Sequence, residues 1–213
     1  MRQQLVDAGL AVLERDGLAA LSVRKLAAEV GTSTMAVYTH FGSMTGVIDA
    51  IADEAFACFT RELTAVPHTD DPVADFMSTG LAYYRFALRS VQRYQLMFGT
   101  AAPDSLRRQR TDLTVTGNAT SRAAWGESFE VLRTAVQRMI DAGRIRDDSE
   151  TLIAGRMWSV IHGAIMLEMA GYLTDGQALS DILGPLTIDL LVGMGDDREL
   201  ANRSLAVAAR ELV

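Results

Sequence analysis

The sequence predicts an all-α protein, built from an N-terminal three-helix helix-turn-helix domain, a long fourth helix and a C-terminal helical bundle. Two observations lead to this prediction. Apolar residues recur every three or four positions along nearly the whole chain, which is the spacing of one face of an α-helix. No stretch alternates apolar and polar residues between hairpin turns, as a half-buried β-strand would.

The composition is that of an ordinary globular protein. The chain has 213 residues, of which 49% are hydrophobic and 22% are charged, so it is long enough to bury a sizeable core. Cys58 is the single cysteine and three histidines accompany it, which leaves almost nothing for a disulfide or a Cys/His metal site. We therefore expect no metal and no cofactor, and a reducing compartment such as the cytoplasm fits the chain.

The most apolar stretch, residues 154–173, is predicted to be a buried core helix rather than a membrane span. Arg156, His162 and Glu168 interrupt it, and these side chains would be costly inside lipid. The N-terminus also lacks the basic start, apolar run and cleavage site of a secretory signal. We therefore expect no membrane partner.

Three short helices are predicted before residue 42. The first is amphipathic and ends at Gly17, where a glycine can supply a left-handed cap. The second begins after an N-cap at Ser22 and closes at Gly31. The third is capped by Ser33 and ends before Gly42.

A long fourth helix is predicted from about Met44 to Ala65, and it leads into a linker at residues 67–72. A fifth helix begins at Pro72, because proline suits the first helical position, and runs toward Val91. Further helices are predicted at about 106–116, 121–142, 151–172 and 179–192, with a short final helix after residues 196–198.

Two of these helices contain residues that oppose the prediction. The sixth, at 106–116, carries threonines and Val115, which fit a helix poorly. Pro185 lies inside the ninth helix and implies either a kink or a later start, because proline removes a backbone donor from a helix interior.

Residues 23–40 have the arrangement of a helix-turn-helix, in which two short helices are joined through about three residues. Ala27 is small enough for the two helices to cross closely, and Gly31 can adopt the positive φ of a sharp turn. Leu26 and Val37 would fill the space beneath the turn that joins the two helices. The same pattern also occurs in plain helical bundles, so it does not by itself establish DNA binding.

The exposed face of the third helix has an unusual composition for a solvated surface. Hydroxyl and imidazole groups can reach phosphate oxygens, whereas methyl and thioether groups can touch a thymine methyl. The face therefore suits a DNA groove. It consists of Thr34, Met35, Tyr38, Thr39 and His40.

Two runs in this region resemble the DNA-binding domain of TetR-family transcriptional regulators. They are residues 21–27 with Gly31, and residues 34–41, which end in the Tyr-x-His-Phe pattern typical of that family. The resemblance implies a ligand-responsive, dimeric DNA-binding protein that is not an enzyme. It also implies a DNA-binding domain at 1–46 and a ligand-binding and dimerisation domain at 47–213.

The resemblance assigns roles to the third helix. Thr34, Met35 and Thr39 match positions that face bases or flank them. Tyr38 and His40 match positions that usually bind phosphate.

Other matched positions lie outside the third helix. Arg24 and Lys25 match the start of helix two, from which a side chain can reach the DNA backbone or a groove edge. Met44 stands where the family often has a lysine, which would remove a phosphate contact. Arg2 is the only candidate for the basic N-terminal arm that some members possess.

The net charge of −7 argues at first against nucleic acid, whose binding depends on neutralising phosphates. Residues 1–46, however, contain four basic and four acidic residues, so the rest of the chain carries all of the negative charge. Because each subunit offers few cationic contacts, we predict a shallow salt dependence of operator binding.

Three islands in the C-terminal half resemble the regulatory domain of the TetR subgroup marked by Trp, His and Gly in its eighth helix. They are residues 84–88, 94–98 and 158–163. A proline that frequently lies between the first two islands is absent, and residues 90–92 take its place. The bend at that point is therefore not predicted.

Helix eight is predicted to pack closely against another helix. Gly155, Ser159 and Gly163 repeat every four residues and form a smooth stripe along it. Together with helix nine, helix eight would form the four-helix homodimer interface that is usual in the family. Two recognition helices about 34 Å apart would then meet successive major-groove faces of a pseudo-palindromic double-stranded DNA operator.

A ligand pocket is predicted among helices five, seven and eight. Aromatic residues and methionines there are core by default, but methionine adapts to loosely shaped ligands. His162 likewise has two interpretations, a core histidine bonded to a neighbour or a ligand contact. The apolar surroundings predict a lipophilic or aromatic small-molecule effector. The candidate ligand-binding residues are Phe86, Tyr94, Met97, Phe98, Trp125, Phe129, Trp158, His162 and Met166.

Three hypotheses follow from these patterns. The favoured one is a ligand-responsive dimeric repressor, and the others are a helical-bundle enzyme or carrier and an architectural dimer without a ligand. The enzyme is disfavoured because the chain shows no phosphate-cradling glycine loop, no Glu-x-x-His pattern and no convincing nucleophile and base. The basic run at 107–110 is interpreted as a solvated helix face.

Overall fold

The computed structural model describes residues 1–100, 102–174 and 176–210, and their regular structure is helical. Within these residues there is no strand, and the nearest approach to one is an isolated backbone bridge between Arg110 and Thr120. The all-α prediction is confirmed. None of the described helices is long and apolar enough to cross a membrane.

The N-terminal part, which we call the head, contains α1 (Arg2–Asp16), a 3-10 turn (Leu18–Ala20), α2 (Val23–Val30) and α3 (Thr34–Phe41). Ser22, Ser33 and Ser43 each accept a hydrogen bond from the backbone N–H three residues later, at 3.2, 3.2 and 3.1 Å. These side chains satisfy donors that a helix start leaves unpaired, so the helices begin where the sequence predicts.

The turn between α2 and α3 depends on Gly31. Its backbone lies at φ 69 and ψ 35, the left-handed conformation that a glycine adopts without steric cost. Beneath the turn, Leu26 and Val37 are completely buried and Ala27 is 4% exposed. The predicted helix-turn-helix is present with its small residue at the helix crossing.

Helix α4 (Met44–Thr64) connects the head to the rest of the molecule. Its first half packs on α1 at Gly9, where an added Cβ would lie 2.5 Å from Ile51 Cδ1. Its second half buries Phe56, Phe59 and Leu63 among the C-terminal helices. One rigid helix therefore contributes to both cores.

The predicted linker follows α4 and is held by side chains of the bundle. The buried Asp75 carboxylate accepts hydrogen bonds from the Thr69 backbone N–H at 2.8 Å and hydroxyl at 2.7 Å, and Arg138 Nη1 lies 2.7 Å from it. Asp71 caps the next helix and pairs with Arg144 at 3.1 Å. The segment is irregular, as predicted, yet it is anchored.

The C-terminal part, which we call the bundle, begins with α5 (Pro72–Arg89) and α6 (Val91–Phe98). The single helix predicted toward Val91 ends at Ser90, whose φ of −127 and ψ of 52 are not helical. The Ser90 backbone N–H still bonds to the Phe86 carbonyl, and the Ser90 carbonyl accepts from the Tyr94 N–H. A bend without a proline therefore redirects the chain here.

The predicted sixth helix at 106–116 is wrong. The structure has two single turns, α7 (Asp104–Arg107) and α8 (Leu113–Thr116), within a stretch at 102–122 that we call the irregular segment. The hydroxyls of Thr111 and Thr116 donate to the Asn118 carbonyl at 2.6 and 2.8 Å. Such local side-chain bonds compete with a helix, which explains the outcome.

Four further helices complete the bundle. They are α9 (Ala123–Asp141), α10 (Glu150–Met169), α11 (Gly184–Gly193) and α12 (Arg198–Ala209), and a π-helical turn (Ala178–Leu183) precedes α11. Pro185 lies in the first turn of α11, and the π-helical turn runs directly into it, so helical backbone already precedes Pro185 and the alternative of a late start is wrong. Helix α12 packs along α5 and is a full helix of 12 residues.

Candidate DNA-binding surface and ligand cavity

The recognition face predicted on α3 is exposed in the structure. Met35 is 71% exposed and Tyr38 49% exposed, although both carry large apolar groups. Val37, on the opposite side of the same helix, is completely buried. Thr34, Thr39 and His40 are exposed beside them. The five side chains therefore share one accessible surface whose backbone is fixed by the head core.

The two basic residues at the start of α2 differ in their surroundings. Arg24 is exposed, whereas Lys25 is half-buried and its Nζ lies 3.2 Å from the Asp16 carboxylate. Asp16 also binds Arg15 at 2.9 Å, so this cluster is neutralised within the head. Arg24 is consequently the freer of the two cations for a DNA phosphate.

Two other predicted positions lie next to the recognition face. The Arg2 guanidinium lies 5.3 Å from the centroid of the Phe41 ring, a cation-π contact that holds the N-terminus on the head. Met44 borders a surface hollow together with Arg24, Thr34 and Tyr38. The residue that replaces the family's usual lysine is thus at the edge of the proposed DNA surface.

The bundle encloses a cavity of about 400 Å³. Helices α4, α5, α9 and α10 form most of its wall, and the irregular segment with α7 and α8 covers one side. The ends of the π-helical turn, α11 and α12 close the remainder. The aromatic part of the wall comprises Phe56, Phe59, Phe76, Tyr83, Phe98, Trp125, Phe129 and Trp158.

The structure places six of the nine predicted ligand-binding residues on this cavity. Phe86 and Tyr94 lie outside it, because they are completely or almost completely buried in the core behind the wall. Phe86 packs on Phe59 with ring centroids 4.9 Å apart. Met166 also packs into the core and does not line the cavity. The six lining residues are Met97, Phe98, Trp125, Phe129, Trp158 and His162.

Tyr94 and His162 instead belong to a buried hydrogen-bonded chain. Trp158 Nε1 donates to the Tyr83 hydroxyl at 3.1 Å, and the Tyr83 and Tyr94 hydroxyls lie 2.9 Å apart. The Tyr94 hydroxyl lies 2.5 Å from His162 Nδ1. His162 is thus bonded to a neighbour, as one of its two interpretations expects, and the same partly buried ring borders the cavity, as the other requires.

Burial keeps the side chains of this hydrogen-bonded series uncharged. It raises the pKa of Tyr83 to about 12 and raises the pKa of Tyr94 further, because a phenolate would be poorly solvated there. Burial, reinforced by the positive charge of Arg110, lowers the pKa of His162 below its usual value. At neutral pH the imidazole is therefore uncharged.

The cavity wall is tied directly to α4. Trp125 Nε1 donates to the Asp53 carboxylate at 2.8 Å, and its ring stacks on Phe56 with centroids 4.7 Å apart. Arg122 also pairs with Asp53. Since α4 continues into the head core, Trp125 contacts a helix that the cavity wall and the head share.

A second link joins the head to the bundle through α1 and α6. Arg93 Nε lies 2.6 Å from the Glu14 carboxylate, and both side chains are about three-quarters buried. Helix α6 also carries the wall residues Met97 and Phe98. Both elements that contact the head therefore reach the cavity.

The ligand-binding residues predicted from the sequence do not include the part of the cavity wall that α4 and the irregular segment supply. Phe56 and Phe59 lie within the predicted fourth helix, but its apolar periodicity does not indicate that they face an empty volume. Arg110 belongs to the run interpreted as a solvated helix face; it is exposed, as that interpretation expects, but it lies outside a helix and also borders the cavity. Its neighbours Arg107 and Arg108 are exposed.

The smooth stripe on α10 meets different neighbours along its length. A Cβ added at Gly155 would lie 2.9 Å from Leu113 Cδ2, so the irregular segment covers this end. Apart from the neighbouring backbone of α10 itself, no atom of the described residues lies within 4 Å of a Cβ added at Gly163. Exposed apolar side chains occur on α10, just after it, and on the π-helical turn and α11, namely Leu152, Leu167, Tyr172, Ile182 and Leu186.

Two family models match the chain. The model described as "Bacterial regulatory proteins, tetR family" matches residues 5–51. The model described as "Tetracyclin repressor-like, C-terminal domain" matches residues 76–184, which is about half of the chain. No curated protein matches the sequence.

Solved structures share the fold over most of the chain. A protein of unknown function from Rhodococcus sp. RHA1 is 26% identical, with 92% of this chain and 95% of that chain covered and a TM-score of 0.74. RolR, solved without ligand and also with resorcinol, is 13% identical in its ligand-free form, with 97% and 96% covered and a TM-score of 0.65.

SmeT, the repressor of the Stenotrophomonas maltophilia multidrug efflux pump SmeDEF, is 20% identical, with 82% of each chain covered and a TM-score of 0.59. It has also been solved with triclosan. At these identities, RolR and SmeT support the fold alone. The two family models establish more: the chain belongs to the TetR family of DNA-binding helix-turn-helix transcription regulators, whose members carry ligand-binding effector domains and are not enzymes.

Proposed function

We propose that the protein is a homodimeric repressor that binds a pseudo-palindromic operator and is released by a lipophilic or aromatic small molecule. The observation that carries this proposal is the cavity of about 400 Å³, whose aromatic wall includes residues of the helix that holds the head. A volume of this size is in the range of small-molecule sites in proteins, about 300–1,000 Å³.

The wall composition supports the effector class. Aromatic rings and methionines dominate it, and they offer dispersion contacts to a flat or flexible apolar ligand. SmeT with triclosan and RolR with resorcinol are relatives of the same fold that hold small aromatic compounds. These two complexes support the class and not the identity of the effector.

The contacts of α4 support a route from the cavity to the DNA. A ligand that displaces Trp125 would alter the hydrogen bond to Asp53 and the stack on Phe56. Both partners lie on α4, so the head would change its position relative to the bundle. Release requires that the ligand bind the displaced state more tightly than the DNA-bound state.

On the DNA side, the exposed α3 residues take the roles that the family resemblance implies. Thr34, Met35 and Thr39 would face bases or flank them, and Tyr38 and His40 would bind phosphate. Their exposure supports these roles, although Thr39 already donates its hydroxyl to the Met35 carbonyl at 2.9 Å.

Helix α2 would supply the remaining DNA contacts. Arg24 would bind the DNA backbone, and Lys25 would do so after exchanging its partner Asp16. The domain division proposed from the sequence, 1–46 and 47–213, falls within the first turn of α4. Membership of the Trp-His-Gly subgroup remains a proposal, which rests on Trp158, His162 and Gly163.

Helices α10 and α11 are proposed to form the dimer interface. Leu167 and Leu186 are 48% and 40% exposed, and the open side of Gly163 permits close approach of a second copy. We expect Leu186→Arg to shift the dimer toward monomer in sedimentation velocity, with Val115→Arg as a control at an exposed site of the irregular segment. An unchanged dimer would exclude this face as the interface.

The proposal is tested by selecting binding sites from genomic DNA with the purified protein, and by repeating the selection with candidate effectors. We expect enrichment of one inverted repeat, and loss of that enrichment with an apolar effector. Enrichment that no ligand abolishes would favour the architectural dimer. Failure to enrich any duplex sequence would overturn the proposal.

A further inference from the structure

Besides its aromatic wall, the cavity carries one unneutralised cation. Arg110 lines it, and no carboxylate of the described residues lies within ion-pair distance of its guanidinium. Among the described residues its guanidinium donates only from Nη2, to the Gly99 carbonyl at 3.0 Å and more weakly to the Met97 carbonyl at 3.4 Å. The other guanidinium N–H groups are available to a ligand.

The hydrogen-bonded chain behind the wall determines the tautomer of His162. Trp158 Nε1 can only donate, so its proton points at the Tyr83 oxygen. If Tyr83 then donates to Tyr94, and Tyr94 to His162 Nδ1, every proton in this buried chain has an acceptor. The reverse direction would leave the Tyr83 hydroxyl proton without one, which is costly in a buried site.

This direction places the imidazole proton on Nε2. The Nδ1 edge faces Tyr94, which lies outside the cavity, so the opposite edge of the ring is the one that borders it. No described residue accepts a hydrogen bond from Nε2. His162 therefore presents a neutral N–H donor to the cavity.

Arg110 and His162 both border the cavity close to Phe98. The carbonyls that hold Arg110 belong to the residues before and after Phe98, and the Phe98 ring lies 5.8 Å from the His162 ring. A cation and a neutral donor thus lie near the same aromatic residue at the edge of a largely apolar volume. This arrangement suits an anionic oxygen attached to an apolar body.

We propose that the effector is an amphiphilic acid, whose carboxylate pairs with Arg110 and accepts a hydrogen bond from His162 Nε2 while its apolar body fills the aromatic part of the cavity. This inference rests on the proposed function and narrows its ligand class. It also assigns Arg110 as the residue that distinguishes acids from neutral compounds of the same shape.

The test compares acids with their isosteric carboxamides. Binding of benzoate, cinnamate and decanoate, each paired with its carboxamide, is measured by titration calorimetry at neutral pH on the full chain. In the tightest-binding pair we expect the acid to bind about tenfold more tightly than the amide, the size of effect that a hydrogen bond to a charged group produces.

Substitutions at position 110 test whether Arg110 causes the preference for the acid over its carboxamide. Arg110→Gln should weaken the acid about tenfold and leave the amide unchanged, which also shows that the cavity is still folded. Arg110→Lys keeps the charge and should retain most of the preference. Arg108→Gln, an exposed member of the same basic run, is the matched control and should behave as the unaltered protein.

The possible outcomes separate this inference from the proposed function. Equal affinities for acid and amide in every pair, or a preference that survives in Arg110→Gln, would overturn the acidic class while leaving an apolar effector site in place. If neither acids nor amides bind, the acidic effector and the proposed ligand response both fail.

Discussion

The candidate functional side chains of the head point into solvent, whereas those of the bundle point into an internal cavity. In the head, Met35 and Tyr38 project into solvent from a helix whose inner residue Val37 is completely buried. In the bundle, aromatic side chains turn inward and leave about 400 Å³ unfilled. A surface that binds DNA needs a rigid support, whereas a ligand site needs empty volume. The side chains that line the cavity therefore lack some of the packing contacts that the head core makes.

The largest expected contrast comes from the same truncation in both parts. Leu26→Ala in the head removes a completely buried side chain and should cost about 2–5 kcal/mol of unfolding free energy. Leu132→Ala on the cavity wall should cost less, because this side chain already borders empty space. Urea unfolding followed by circular dichroism measures both values. Equal costs would show that the cavity wall is packed as tightly as the head core.

On the recognition face, function should change while stability does not. Tyr38→Ala should weaken binding to all duplex sequences, and Thr34→Ala should alter base preference, each by about 1–3 kcal/mol. Competition of labelled operator with mutated operators separates the two effects. The assignment of α3 as recognition helix would be wrong if both variants bound operator normally.

A smaller effect should separate ligand binding from its transmission. Trp125→Phe keeps an aromatic ring on the cavity but removes the N–H donor to Asp53, a hydrogen bond of about 1 kcal/mol. Effector affinity should change little, while a higher effector concentration should be needed for operator release. Trp158→Phe removes a donor that bonds Tyr83 and not α4, so it is the matched control. A similar loss in both variants would contradict the route through α4.

The smallest expected effect concerns the charge of the head. Operator affinity should fall only gently with salt, because the head has few free cations and Lys25 is paired with Asp16. Met44→Lys should steepen the slope by about one counterion. A slope of the unaltered protein that corresponds to about ten or more released counterions would contradict the prediction.

The head was largely predictable because its signals are local. Serine caps lie three residues from the N–H groups they satisfy, and Gly31 meets a conformational demand of its own backbone. The exposed composition of α3 follows from the same helix periodicity. These features need no knowledge of distant residues.

The helix predicted at 106–116 was wrong because contacts other than helix periodicity decide the conformation of the irregular segment. Its apolar spacing favours a helix, but Thr111 and Thr116 bond to nearby carbonyls, and its backbone pairs with itself at Arg110 and Thr120. Packing against Gly155 then fixes Leu113 over α10. Helix propensity and apolar spacing do not include these contacts, so they predict a helix where none forms.

By itself, the sequence determined the helical class, the helix-turn-helix and the type of residue that the bundle buries. Only the tertiary structure decided which of those residues face the cavity, since Phe86 and Phe98 look alike in the sequence and differ in what lies beside them. It also decided that Arg110, whose side chain is exposed to solvent, borders the cavity as well. An empty volume is the space that several distant helices fail to fill together, and no local pattern records it.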